Sequence, residues 1–221
     1  MKETYFSHPD NTGGNKFTAY TLEDQYHSYQ WNIKQVIGQF NEASVWDFAG
    51  LEDTIVVAVI DDGVAEHFDL DSIPLLSGYD FADGDSNASP GQYCGHGMAC
   101  AGLIAADHSV VGETQSTSEY PEGSGIISIN PHVQILPVKI FRDYECSGVG
   151  VYASDDAAAI NFAWQHGADV LSNSWIARDF GDVIRHAIDS AAIRGRNGKG
   201  CTVVFSAGQG IAPLLQCQGI V

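Results

Sequence analysis

Titratable or amide side chains that could carry chemistry stand at three places in the chain. Asp61 and Asp62 follow the apolar run TIVVAVI, His96 stands between two glycines in CGHGMACAG, and Gln209 follows CTVVFSAG. A carboxylate beside an imidazole can orient it and exchange protons through it, which is the basis of general acid–base chemistry. An amide side chain such as that of Gln209 can donate a hydrogen bond to a developing negative charge.

His96 has three interpretations at this point. Cys94 lies two residues before it and Cys100 four residues after it, so His96 and these two thiolates, with or without Cys146, could bind a metal ion. The Cys-x-His-x3-Cys spacing is not a common zinc pattern, however, and no CxxC pair accompanies it. A buried structural histidine and a catalytic base are the other two possibilities. The five cysteines are an odd number, so at least one of them is unpaired within the chain.

The segments around these residues predict an α/β fold. Short, β-branched apolar runs predict buried strands, and segments with helical spacing or many small residues predict helices between them. The predicted strands are TIVVAVI, VQILPVKIF, ADVLSNSW and CTVVFSAG, and the predicted helices are HGMACAGLIAAD, SDDAAAINFAWQHG and GDVIRHAIDSAAIRGRNGKG. Alternating strands and helices predict a parallel sheet with helices on both faces, a three-layer arrangement in which sites gather at the carboxyl ends of the strands.

Composition excludes several classes of function. The chain has 221 residues, of which 44% are hydrophobic and 17% charged, so it can build a core and is not predicted to be disordered. Its formal net charge of −18 disfavours nucleic acid and anionic membranes as partners. No apolar stretch approaches the roughly 20 residues of a transmembrane helix. The opening MKETYFSHPDNTGG shows no signal peptide, and the sequence leaves the compartment undefined.

Five segments in order resemble the subtilisin-like serine proteases, the subtilases of peptidase family S8. They are TIVVAVIDDGVAEHFDL, GHGMACAGLIAA, QILPVKIF, GVYASDDAAAINFAWQHGADVLSNSW and GKGCTVVFSAGQG. The resemblance extends from about Trp31 to Gly210, with YHSYQWNIKQVIGQFNEASVWDF similar to the lead-in of that family. It implies an N-terminal arm and lead-in helix over residues 1–48 and a partial subtilase catalytic domain over residues 49–221.

The resemblance implies a role for each matched site residue. Asp61 matches the triad aspartate, and His96 matches the general base that deprotonates a serine and later protonates the leaving amine. Cys100 resembles the thiol beneath the histidine in some subtilases, a proteinase K-like feature. Gln209 matches the oxyanion-hole asparagine, but its side chain is one methylene longer.

Further matches concern substrate and calcium. Ser174 and Trp175 match the segment that pairs with the substrate backbone and lines the primary specificity pocket, where Ile176 replaces the usual glycine. Gly148, Val149 and Gly150 match the opposing edge, so an extended peptide would bind between the two by β-augmentation. Asp62 resembles the second aspartate of the kexin and furin branch, which helps to bind basic residues. Asp69 matches a position that can bind structural calcium, for which a carboxylate is a suitable ligand; no cofactor is expected in the chemistry itself.

The serine of the family has no match. It lies in a Gly-Thr-Ser-x-Ala segment beyond the oxyanion residue, whereas GIAPLLQCQGIV follows Gln209 and no Gly-Thr-Ser occurs in the sequence. We therefore expect an incomplete domain that is inactive alone, with a peptide or protein substrate and a complementing C-terminal fragment as partners. Two alternatives are a non-catalytic peptide-binding protein and a Cys/His metal-binding protein. Members of the family are often secreted, but the localisation of this chain is not predicted.

Overall fold

The computed structural model describes residues 26–36, 54–71, 73–107, 125–130, 132–143, 152–176 and 181–207. The chain divides into two compact units. The first comprises Met1–Val56, Ala65–Leu76 and Met98–Ile135, and the second comprises Val57–Val64, Ser77–Gly97 and Leu136–Val221. The predicted division between residues 48 and 49 stays a prediction, because residues 37–53 lie outside the described ranges.

A five-stranded parallel sheet in the order β2-β3-β1-β4-β5 confirms the predicted α/β fold. The central strand β1 is buried along most of its length because it carries only apolar residues before Asp61. Register aligns Ile60 of β1 with Asn173 of β4, and Asn173 with Phe205 of β5, so the carboxyl ends of these strands lie at one edge. The strands are β1 (Ile55–Asp61), β2 (Tyr79–Asp80), β3 (Val133–Lys139), β4 (Val170–Asn173) and β5 (Thr202–Phe205).

Helices occupy the three segments between strands where the sequence predicts them. In α4 the buried residues Ile184, Ala187, Ile188 and Ala191 recur at helical spacing, which gives this helix one apolar face. The end of α4 departs from the prediction, since Arg196 and Asn197 have φ angles of 53° and 56° and leave the helical conformation. The helices are α1 (Trp31–Val36), α2 (His96–Ala105), α3 (Ala153–Gln165) and α4 (Asp182–Gly198). None of the helices in the described ranges is both long and apolar enough to cross a membrane.

The first unit is joined by hydrogen bonds between distant segments. The Gln30 side chain accepts a bond from the Ile127 N–H (2.9 Å) and donates one to the Ile127 carbonyl (2.7 Å). Ile33 of α1 and Ile127 are completely buried. Gln30 is therefore hydrogen-bonded to the segment around residue 127 through both the donor and the acceptor of its amide. A buried amide needs partners for both groups.

Candidate active site

Strand β1 delivers two carboxylates to its carboxyl end. Asp61 is the last residue of the strand and Asp62 the next, and both are buried. The chain turns at Gly63, whose φ of +117° suits glycine, and an added Cβ there would lie 2.6 Å from the Pro90 nitrogen. The Asp-Asp-Gly segment is thus a turn, and it holds both acidic side chains inside the protein.

His96 is the first residue of α2 and meets Asp61. The Nδ1 atom of His96 lies 2.8 Å from Oδ1 and 3.0 Å from Oδ2 of Asp61. A carboxylate only accepts hydrogen bonds, so Nδ1 carries the proton and Nε2 is the basic nitrogen. The aspartate is buried while 57% of the histidine side chain is exposed. A base in this arrangement is oriented by a buried carboxylate and is accessible from solvent.

Each member of the Asp61–His96 pair alters the acidity of the other. The hydrogen bond to Asp61 raises the pKa of His96, with burial acting in the opposite direction. Burial raises the pKa of Asp61, and the hydrogen bond from His96 opposes that increase. The bond therefore favours the imidazolium, the state that a general base enters when it takes up a proton.

Asp62 contacts the main chain of the same helix. Its Oδ2 accepts hydrogen bonds from the N–H groups of Gly95 (3.1 Å) and His96 (3.0 Å), and its Oδ1 accepts one from Gly97 (2.6 Å). This contact was not predicted from the sequence. Its indications in the sequence are the carboxylate directly after Asp61 and the glycines on both sides of His96. The predicted contact between Asp62 and substrate stays a prediction.

Ser174 and Trp175, which match the substrate-binding segment of the family, follow β4. Ser174 directly follows Asn173, whose partner in the register is Ile60, the residue before Asp61. Trp175 is only 7% exposed and packs edge-to-face on Phe205 at 5.3 Å, whereas Ile176 is exposed. The Trp175 side chain is therefore buried against Phe205 of β5, and the predicted roles of Ser174 and Trp175 in substrate binding stay predictions. Gly148, Val149, Gly150 and Gln209 lie outside the described residues, so their predicted roles stay predictions.

Cys94, His96 and Cys100 do not form the metal site that was one interpretation of their spacing. Cys94 is in a disulfide and has no thiolate to offer, because only a reduced and deprotonated sulfur binds metal in this way. His96 Nδ1 faces Asp61. In the described part of the chain, Cys100 and Cys201 are the cysteines that keep their thiols.

Asp69 lies in the first unit, in the 3-10 turn Phe68–Leu70. Its Oδ2 accepts a hydrogen bond from the Ile126 N–H at 3.2 Å. Burial raises the pKa of Asp69 to about 6, and the charge of Asp107 adds to this effect. A buried carboxylate whose ionised form is disfavoured suits a hard divalent cation such as calcium. Within the described ranges, no cluster of three acidic, histidine or cysteine side chains includes Asp69.

Comparison with known proteins identifies the family. A family model described as the subtilase family, peptidase S8, matches residues 52–215, well over half of the chain. The chain belongs to the subtilase family. The buried Asp61 and exposed His96 lie within the matched part, so the contact at the end of β1 is a feature of a subtilase domain.

Characterised subtilases share both sequence and fold with the chain. The calcium-dependent protease of Nostoc sp. (strain PCC 7120 / SAG 25.82 / UTEX 2576) is 28% identical over 211 residues, covering 84% of the chain and 28% of that protein. Thermitase of Thermoactinomyces vulgaris is 30% identical over 190 residues, covering 86% and 58%. The epidermin leader peptide processing serine protease of Staphylococcus aureus superposes with a TM-score of 0.58 at 19% identity, covering 84% of the chain and 43% of that structure. The chain thus spans only part of the length of these relatives.

Proposed function

We propose that this subtilase domain belongs to a serine endopeptidase that cleaves extended peptides. Asp61 and His96 supply the aspartate and the histidine of its catalytic triad. The observation that carries the proposal is the bond from His96 Nδ1 to the buried Asp61 carboxylate, 2.8 Å to Oδ1. The bond fixes the imidazole tautomer, so that Nε2 points its lone pair at a proton donor. Membership of the subtilase family supports a serine hydroxyl as that donor.

In the proposed reaction His96 moves one proton in each half. Nε2 takes the serine proton as the oxygen attacks the substrate carbonyl, and the resulting imidazolium is stabilised by the Asp61 carboxylate. The same proton then passes to the leaving amine, which breaks the peptide bond and returns His96 to its neutral form. Asp61 stays ionised throughout and acts by orientation and charge.

Ser174 supports binding of an extended substrate. It follows β4 at the edge that Asp61 reaches, and a strand end of this kind can pair with a peptide through main-chain hydrogen bonds. Because such pairing reads the peptide backbone, the proposed substrates are extended polypeptides of varied sequence. Gly148 to Gly150 are proposed to form the opposite edge.

The nucleophile is the part that these 221 residues do not match, since they contain no Gly-Thr-Ser segment. Asp61 and His96 alone form no acyl-enzyme. We expect the purified chain to hydrolyse no peptide substrate detectably and to resist an active-serine fluorophosphonate probe. Co-expression with a downstream fragment carrying the serine segment should restore both signals, and His96→Ala should abolish them. Labelling of the chain alone at a serine, lost in His96→Ala, would place the nucleophile elsewhere and refute this assignment.

The same experiment tests the peptide-binding alternative. If the complemented protein binds peptide but stays unlabelled by the probe, the chain is a binding protein. In the active enzyme, Asp61→Asn is the matched variant to His96→Ala, because it keeps the shape of the side chain and changes the imidazole tautomer. A loss of about 10⁴-fold in kcat is expected from such a change.

Calcium is proposed as a structural cofactor held in part by Asp69. The support is the burial of Asp69 and its raised pKa, together with the similarity to a relative named as a calcium-dependent protease. When bound, the cation would supply the positive charge that this carboxylate lacks among its described neighbours, and it would take no part in peptide cleavage.

An oxidising compartment is also proposed. The Cys94 disulfide supports this, because disulfides persist in secreted and extracytoplasmic proteins and are rare in the cytosol.

A further inference from the structure

The side chain of Asp62 has a position that the proposed reaction does not use. It is 0% exposed, and its carboxylate accepts three hydrogen bonds from consecutive main-chain N–H groups, those of Gly95, His96 and Gly97. Bonds from N–H groups to an ionised acceptor are among the stronger ones in proteins. A buried carboxylate with three such bonds is a specific structural contact and not a solvated surface charge.

These three N–H groups begin helix α2. The first N–H groups of a helix have no acceptor within the helix, and the helix dipole favours negative charge at that end. Helix α2 has no acidic residue in its own first turn. Asp62 therefore supplies, from the end of β1, the acceptor and the charge that the helix sequence lacks.

The neighbouring residue binds the other part of His96. Asp61 accepts the imidazole Nδ1–H (2.8 Å), and the Asp62 main-chain N–H donates to Asp61 Oδ1 (2.8 Å). Two consecutive residues thus hold the same histidine: Asp61 binds the imidazole ring of His96, and the Asp62 carboxylate binds the main-chain N–H of His96. A shift of the helix start relative to β1 would break both contacts together.

We infer that Asp62 is a positioning residue for His96: its carboxylate anchors the first N–H groups of α2 to the end of β1 and so fixes the distance between the imidazole and Asp61. The inference rests on the proposed role of His96 as the base. It differs from the predicted contact with basic substrate residues, because a carboxylate that is buried and holds three N–H groups would have to release them to reach a substrate.

Titratable groups lie near His96 on two elements of the described chain. Asp61 at the end of β1 and Asp62 directly after it contact His96, and Cys100 lies one turn further along the same helix. The disulfide of Cys94 does not titrate. The charge of Asp62 contributes, after the larger effects of Asp61 and burial, to the raised pKa of His96, so removal of that charge changes a property of the base that can be measured.

The test compares Asp62→Asn with Asp155→Asn in the full chain. Asp155 is a matched control because it also accepts an N–H bond at a helix start, from Tyr152 at 3.2 Å, but on α3. Hydrogen exchange by mass spectrometry with residue-level fragmentation reports Gly95 to Gly97, and the pH dependence of diethyl pyrocarbonate modification reports the His96 pKa. We expect Asp62→Asn to accelerate exchange at these amides about 10- to 100-fold and to lower the His96 pKa. Asp155→Asn should change neither quantity.

Three outcomes would overturn the inference. The first is unchanged exchange and an unchanged His96 pKa in folded Asp62→Asn. The second is an equal effect of Asp155→Asn, which would show a general loss of stability. If Asp62→Asn does not fold, Asp62→Ser removes the charge and keeps an N-cap acceptor, with the same two readouts expected. The third needs no variant: rapid exchange of the His96 and Gly97 amides in the unmodified chain would show that Asp62 does not hold them. None of these measurements requires peptidase activity, so they can fail independently of the proposed function.

Discussion

A methyl group at Gly97 tests how closely α2 must approach the end of β1. An added Cβ at Gly97 would lie 2.5 Å from the Gly63 carbonyl oxygen, 3.0 Å from Asp62 Oδ1 and 3.1 Å from Asp61 Cβ. The first of these atoms belongs to the main chain of the turn after β1, so it cannot move without moving the turn. Gly97→Ala should therefore push the helix start away from both carboxylates.

Two opposing effects set the size of the change. Alanine is favoured over glycine within a helix by about 1 kcal/mol, which stabilises the variant. Forcing a methyl group into a filled site costs about 1–3 kcal/mol, and contact with the main chain places Gly97 at the upper end. We expect a net loss of roughly 2 kcal/mol in the free energy of unfolding, the difference between these two values. Gly95→Ala is the control two residues away, because an added Cβ there meets no atom within 4 Å, and we expect a change of about 0.5 kcal/mol or less.

Urea denaturation followed by far-UV circular dichroism measures both variants, with equal m-values as the condition for comparing them. Modification of His96 by diethyl pyrocarbonate then shows whether the base is altered together with stability. If Gly97→Ala is as stable as the unmodified chain, or if Gly95→Ala loses as much, the close approach of α2 to β1 is not what holds the site.

Two further predictions concern other buried charges. Lys139 is 2% exposed and forms ion pairs with Asp80, at 2.9 Å, and with Asp143. Lys139→Met should lower the free energy of unfolding by about 3–5 kcal/mol, because it leaves the buried Asp80 charge unpaired. Asp143→Asn, which changes the half-exposed partner, should lower it by about 1 kcal/mol or less in the same urea assay. Burial raises the pKa of Asp69 to about 6 from an ordinary 3.8, so without calcium its ionised form destabilises the fold above that pH. Asp69→Asn in EDTA should then gain up to about 3 kcal/mol at pH 8, a gain lost as the pH falls from 6 to 4, and added calcium should stabilise only the unmodified chain. An Asp69→Asn variant that is less stable than its parent in EDTA at pH 8 would contradict the predicted sign.

The long elements were predictable because their sequences encode burial directly. TIVVAVI is short, apolar and rich in β-branched residues, which favours a strand buried on both faces, and the i, i+3, i+4, i+7 spacing from Ile184 marks one face of a helix. Strand β2 was missed because it has two residues, Tyr79 and Asp80, which is too short for any periodicity to register. The departure from helical geometry at Arg196 and Asn197 was missed for a related reason, since a basic helix end followed by glycine predicts only that the helix stops.

The site divides in the same way. Asp61 and His96 could be paired from the sequence because their segments match a family in order. The bonds of Asp62, and the ion pairs of Lys139 with Asp80, join residues far apart in the chain and depend on which strand lies beside which element. Hydrophobic patterning gives no information on such polar contacts. The residues that hold the base in place were therefore less visible than the base itself.

The Asp-Asp-Gly and Gly-His-Gly segments require one another for geometric reasons. Successive side chains of an extended strand point to opposite faces. Asp61 is the last residue of β1 and Asp62 lies beyond it, so the two consecutive carboxylates can both approach His96, and the chain then turns at Gly63, whose φ is positive. The helix must then come close enough for Asp62 to reach its N–H groups, and the 2.5 Å distance from an added Cβ on Gly97 to the Gly63 oxygen shows that only glycine permits this approach. The position of His96 thus follows from the main-chain contacts of α2 with Asp62 and with the turn at Gly63, and Asp61 orients its imidazole.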